Sequence, residues 1–183
     1  MNVVETLLKR NETFAGNHFA SGLKMMPSLK TNIICCVDPR VDPTIIFGLQ
    51  PGETASIRNV GGRIFPSTLQ TMGMLRMVAK ANNAEMGTGW NLIVLHHTDC
   101  GINCLAHQPD MLAKHFGVPP ENLEKLAITD PYKSVAVDVA ALKANPQLPG
   151  GFLVTGLVYD VHTGKVEVVV PPALLRPENP APV

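Results

Sequence analysis

Net charge is missing from this sequence. Fifteen lysines and arginines balance fifteen aspartates and glutamates among 183 residues. With no polybasic or acidic tract, nothing marks nucleic acid or an anionic membrane as partner, and a small neutral ligand fits better. Apolar runs of membrane-spanning length are also missing. The opening MNVVETLLKRNETFAG lacks the basic start and unbroken apolar core of a secretory signal. There is no internal repeat and no low-complexity segment. These exclusions lead to the expectation of a cytoplasmic protein with no nucleic-acid or membrane partner.

Cysteine is sparse too, at four residues. Cys35 and Cys36 are adjacent in an apolar run and Cys100 stands close to a histidine, which suits reduced thiols and metal better than a secreted disulfide framework. What is present is a hydrophobic content of 45%. That is enough for one substantial core in a chain too short to divide readily, so residues 1–183 are read as a single domain.

Apolar residues at Val4, Leu7 and Leu8 recur at helical spacing, so residues 1–30 read as an amphipathic N-terminal arm. Asn32 to Val37 reads as a strand buried on both faces, and Thr54 to Arg58 as a weaker strand. Leu69, Met72, Leu75 and Val78 place a long helix over Ser67 to Glu85, followed by a strand over Asn91 to His96. Further helices are expected over Met111 to Phe116, Pro120 to Ala127 and Ser134 to Lys143. Phe152 to Tyr159 and Lys165 to Val170 form a closing hairpin, and residues 171–183 read as a proline-rich surface extension. The β-α-β order implies an α/β fold with a parallel sheet, helices packed on its faces and an antiparallel edge hairpin.

Two clusters carry chemistry. Cys36-Val37-Asp38-Pro39-Arg40 ends the first buried strand, and His97-Thr98-Asp99-Cys100-Gly101 ends the third. In open α/β sheets, carboxyl strand ends on either side of a switch point meet at one rim, which would bring residues sixty-one positions apart to one site. Thiolate and imidazole are ligands that zinc prefers, and three protein ligands leave a fourth position for water. Cys36, His97 and Cys100 are therefore the expected metal ligands, one zinc per chain. Because two thiolates neutralise the charge of the ion, lowering the pKa of a bound water calls for help from outside the ligand set. An Asp38 carboxylate held ionised by Arg40 would accept a hydrogen bond from the attacking hydroxide and orient it.

These residues resemble the β-carbonic anhydrases, whose hallmark Cys-x-Asp-x-Arg and His-x-x-Cys is matched by Cys36, Asp38, Arg40, His97 and Cys100. Arg58-Asn59-Val60-Gly61-Gly62 looks like the family's Arg-Asn-Ala-Gly segment, Pro131 to Leu148 like its late helix and Gly156 to Val168 like its final hairpin. The resemblance implies a four-stranded parallel core with an added antiparallel strand, a homodimer or homotetramer with embracing arms, and reversible hydration of carbon dioxide. It looks most like the compact microbial and fungal branch, which also contains carbonyl sulfide and carbon disulfide hydrolases. Where plant-type members carry a Gln-x-Pro segment, this chain has Lys24-Met25-Met26-Pro27, so Met25 is expected to give an apolar, polarisable pocket suited to a sulfur-containing substrate. Gly61 and Gly62 serve either as a tight turn or to let the backbone approach substrate. A reading from another class makes Asp38 a fourth ligand, closing the site into a latent or structural zinc centre.

Of the remaining candidates, Cys35 is expected in the core, as is Cys104, and His96 is expected to point away from His97. His18, His107, His115 and His162 are expected at the surface. Thr98 or Asp99 could serve as a helix-start cap, and Asp99 is given no role.

Overall fold

The computed structural model describes residues 2–176. Its centre is β1 (Thr31–Cys36), buried at every position, because strands lie on both sides and apolar layers cover both faces. Parallel neighbours are β2 (Thr54–Asn59) and β3 (Asn91–His97). Next, β4 (Leu153–Tyr159) pairs parallel with β3, and β5 (Val166–Leu174) closes the edge antiparallel to β4. The order β2-β1-β3-β4-β5 is the four-stranded parallel core with an added antiparallel strand that the family resemblance implied. From β1 the chain turns outward to β2, then returns to lay β3 on the other side of β1. The carboxyl ends of β1 and β3 thus form the switch point, where such sheets bind ligands.

Strand alternation divides the apolar side chains between two faces. Ile34, Leu92, Val94, Val154 and Val158 pack with Met72 and Ala79 of α3 (Pro66–Ala81) and with Val135, Val139 and Leu142 of α5 (Pro131–Ala144). Ile33, Cys35, Leu95 and Leu157 pack on the other face with Val41 and with Ile46 of the short α2 (Pro43–Ile46). A third cluster, Phe65, Ile102, Leu112 and Phe116, seats α4 (Pro109–Phe116) beside the switch point. Each buried aliphatic or aromatic side chain contributes roughly 1.5–3 kcal/mol.

Local signals set the helix ends. Pro131 opens α5 behind Asp130, whose carboxylate accepts from the N–H groups of Tyr132 and Lys133, and extended Asn145 before Pro146 stops it. Asn2 and Glu5 form a capping box at α1 (Val3–Asn17), none of whose residues is buried. No described helix is long and apolar enough to cross a membrane.

Three expectations are corrected. Pro120 to Ala127 is not one helix but two 3-10 turns, Pro120–Asn122 and Glu124–Leu126, ended by Ala127 in the left-handed region at φ 48°. Tertiary contacts outweigh propensity there: Leu123 and Leu126 pack on the Phe65 cluster, and the Leu126 carbonyl accepts from Arg63 Nη2 at 2.8 Å. The surface extension does not begin at 171. β5 runs through Pro171 and Pro172 to Leu174, which an edge strand tolerates because no ladder N–H is needed on its open side. Leu175 is then buried, and the Arg176 guanidinium donates to the carbonyls of Lys143, Asn145 and Leu148; residues 177–183 lie outside the described residues. Finally, Cys104 is exposed rather than buried, since its short turn presents Ile102 to the interior instead.

Candidate metal centre

Cys36 ends β1 and His97 ends β3, while Cys100 stands three residues beyond, at the start of the turn Gly101–Leu105. Their ligand atoms all lie within 4.8 Å of one another, with Cys36 Sγ 3.8 Å from Cys100 Sγ. His97 is oriented by the backbone of the next residue: Nδ1 donates to the Thr98 carbonyl at 2.9 Å, which leaves the lone pair on Nε2. That Nε2 is buried and has no hydrogen-bond partner. An orphaned acceptor facing two thiols is costly in an unliganded core, and the donor set fits a metal ion.

Backbone N–H groups reinforce the sulfur. Gly61 and Asp38 donate to Cys36 Sγ at 3.3 and 3.4 Å. The neighbouring Cys100 thiol, with these two N–H groups, draws the Cys36 pKa down to about 4 against the opposing effect of burial. Cys100 moves the other way, pushed up by the Cys36 thiolate and by burial. A cation between the two sulfurs would take the place of a thiol proton. Cys35, in contrast, is driven up to about 12 by burial and is an inert core thiol.

The Gly61–Gly62 turn requires glycine. Both residues have positive φ, 84° and 66°. A Cβ on Gly62 would stand 2.8 Å from the Cys36 nitrogen. The turn thus passes directly against the end of β1, and the Gly61 N–H is committed to the thiolate.

Around the rim, Arg40 grips Asp38 at both oxygens. Its Nε donates to Oδ1 at 3.0 Å and its Nη2 to Oδ2 at 2.8 Å, with the Arg40 backbone N–H also on Oδ1 at 2.9 Å. The Arg40 hydrogen bonds hold the Asp38 carboxyl at about 2 despite partial burial. The same guanidinium donates to Asp99 Oδ2 at 2.8 Å and to the Asp99 carbonyl at 2.9 Å, tying together the loops after β1 and β3. Asp99 is therefore not a helix cap; φ of 52° and its pairing with Arg40 give it a place in the rim.

The structure gathers Cys36, Asp38, Arg40, Gly61, Gly62, His97 and Cys100. It does not bring Met25 to them. Met25 is 67% exposed, and its sulfur contacts Asn82 at the end of α3, at the amino end of the sheet. His18, His107, His115 and His162 are exposed. His96 points away from His97, as strand alternation required, and lies against Ser134 and Asp138 of α5 at 2.8 and 3.1 Å.

Two contributors went unassigned in the sequence. Arg58 donates to the carbonyls of Cys36, Asp38 and Val41 and to Asp42 Oδ2, holding the loop that follows Cys36; a lone arginine inside a strand was the available signal. Arg63 and Asp138 form an ion pair beneath the centre, signalled only by an isolated aspartate in the apolar run Val135 to Leu142.

An open α/β sheet with a Cys-His-Cys centre at its switch point defines a metal-dependent enzyme class. Comparison narrows it. The family model for carbonic anhydrase matches residues 31–130. Among curated relatives, β-carbonic anhydrase 1 of Mycobacterium tuberculosis is 28% identical over 173 residues, covering 93% of this chain and all of that one. The carbon disulfide hydrolase of an Acidianus species is 24% identical, covering 89% and 87%. The crystal structure of carbonic anhydrase from Streptococcus mutans superposes with a TM-score of 0.70 at 29% identity, covering 92% of this chain and 98% of that one. This chain belongs to the β-carbonic anhydrase family, whose members are zinc-dependent lyases.

Proposed function

We propose that this enzyme holds one zinc ion per chain with Cys36, His97 and Cys100 and catalyses the reversible hydration of carbon dioxide to bicarbonate and a proton. One observation carries the reading: three donors converge while the nearest carboxylate, Asp38, has both oxygens engaged by Arg40. Asp38 is thereby turned from ligand to orienter, which speaks against the latent zinc protein. The sulfur separation of 3.8 Å also matches the edge of a tetrahedron with metal–sulfur bonds of about 2.3 Å.

When bound, zinc supplies Lewis acidity that lets a water molecule lose its proton near neutral pH. Asp38 Oδ2 takes only one hydrogen bond from Arg40, so a lone pair remains to accept from the attacking hydroxyl and aim its oxygen at the carbon. Arg40 keeps that carboxylate ionised, and the Gly61–Gly62 turn provides a backbone wall beside the reacting molecule. Gly61 also donates its N–H to the Cys36 sulfur.

Carbonyl sulfide or carbon disulfide hydrolysis is the second reading, favoured by the likeness to the Acidianus enzyme. The position of Met25 lends it no support. We also propose an even-numbered homo-oligomer. An isolated helix of this length is marginal in water, and Val3, Val4, Leu7 and Leu8 of α1 stand 71%, 58%, 55% and 59% exposed, calling for cover by a second copy. Tetrameric β-carbonic anhydrases are described from Sordaria macrospora, with the same fold at 18% identity. Four free thiols suit the reducing cytoplasm. Side-by-side kinetics on carbon dioxide, carbonyl sulfide and carbon disulfide test the assignment: fastest turnover of carbon dioxide is expected, and faster turnover of either sulfur compound would replace it.

A further inference from the structure

We infer that the buried ion pair Arg63–Asp138 positions the metal centre, tying together the three chain segments that hold its ligands. This rests on the zinc reading above.

Arg63 and Asp138 side chains are 2% and 5% exposed. Arg63 Nε donates to Asp138 Oδ2 at 2.7 Å and Nη2 to Oδ1 at 3.2 Å. One link runs to β3. Asp138 Oδ2 receives His96 Nε2 at 3.1 Å; because the ionised carboxylate only accepts, Nε2 carries the hydrogen and Nδ1 accepts from the Ser134 hydroxyl. His96 is thereby fixed, and with it the backbone that presents His97. A second link runs to Cys36. Asn59 clasps the Arg63 backbone from both sides, accepting from its N–H and donating to its carbonyl, each at 2.8 Å. This locks the turn whose Gly61 N–H reaches the Cys36 sulfur.

The third link leads to Cys100. Among the described residues, three buried side-chain polar atoms lack a partner: His97 Nε2, Arg63 Nη1 and Asn103 Oδ1. The first faces the metal position. The other two are a donor and an acceptor, and both residues border one cavity of about 10 Å³ together with Gly61, His96, His97 and Cys100. That volume suits a single water, and the residues that border it place Arg63 beside the turn that follows Cys100.

Stability alone does not explain the pair. Apolar residues of similar volume often replace a buried ion pair with no loss. A framework that fixes ligand orientation does explain it, and loss of such support typically weakens metal binding 10–100-fold.

The test compares wild-type protein with Arg63→Met, Asp138→Leu and the double variant. Thermal midpoints are measured without metal, zinc affinity by chelator competition, and ligand-field bands after cobalt(II) substitution. Each single variant should lose thermal stability. The double variant should regain part of it, since His96 Nε2 still lacks its acceptor, yet bind zinc 10–100-fold more weakly with displaced cobalt bands. A folded double variant with wild-type zinc affinity and an unshifted spectrum would overturn the inference. If the double variant does not fold, zinc affinity of Asn103→Leu decides, because it breaks only the third link: several-fold weaker binding at an unchanged thermal midpoint is expected, and unchanged binding overturns it. Wild-type protein that takes up no zinc and gives no thiolate-to-cobalt charge transfer would instead sink the zinc reading.

Discussion

Two arginine–aspartate pairs flank the metal centre at opposite extremes of exposure. Arg40, gripping Asp38 and Asp99, is 47% exposed, whereas Arg63, gripping Asp138, is 2% exposed. Exposed pairs add little to stability, because water screens the attraction and two long side chains must be ordered. Breaking a buried pair by removing one member strands a charge in a medium that cannot solvate it. The same chemical pair therefore has two uses here. On the rim it holds ionised the carboxylate that we propose as orienter; in the interior it holds the architecture that we infer aims the ligands.

Breaking the buried pair should give the largest effect. Arg63→Met alone is expected to cost about 3–5 kcal/mol in chemical denaturation, and a loss under about 1 kcal/mol would erase the contrast. Breaking the exposed pair should hit chemistry instead. Asp38→Ala is expected to retain stoichiometric zinc and a near wild-type thermal midpoint while turnover falls ~10²-fold or more; unchanged turnover would remove Asp38 from the mechanism.

A glycine comparison sharpens the point that the constraint lies at the centre rather than in the scaffold. Gly62→Ala drives a Cβ against the Cys36 backbone at positive φ and should destabilise by about 2 kcal/mol or more. Gly73→Ala, in α3 with nothing within 4 Å of the added Cβ, should instead stabilise by roughly 0.5–1 kcal/mol. Urea titration of both variants reads the two signs.

The smallest effect is an acid limb. Burial alone would raise the Asp138 carboxyl, but the His96 hydrogen bond and the Arg63 guanidinium outweigh it and hold the group below its ordinary 3.8. As pH falls past the ordinary value the unfolded chain takes up a proton that the folded chain refuses. The pair's stabilisation is therefore complete above about pH 4–5 and is lost as pH falls through the folded value. Thermal melts from pH 6 to 3 should decline more steeply for wild type than for the Arg63→Met/Asp138→Leu double variant; parallel slopes would contradict this.

Much of this was legible in the sequence because it is local. The apolar runs of β1 and β3 declare buried strands, and each chemical motif follows directly at a strand end, so Cys36, Asp38, Arg40, His97 and Cys100 could be placed before any contact was known. What was hidden is what depends on distance along the chain. Nothing near Arg63 announces a partner 75 residues away. The residues from Pro120 have helical composition but are bent into 3-10 turns by the Phe65 cluster and the Arg63 guanidinium. The expectation for Met25 rests on likeness to the Gln-x-Pro position, which carries no information on which end of the sheet it occupies. Asp99 had no role legible in the sequence, because its left-handed backbone and the reach of Arg40 lie beyond propensity.

The central claim is tested most directly by stopped-flow hydration of carbon dioxide as the chelator-stripped enzyme is titrated with zinc. The rate should rise in proportion to added zinc and level off at one equivalent per chain. Saturating zinc uptake without any hydration of carbon dioxide would contradict it.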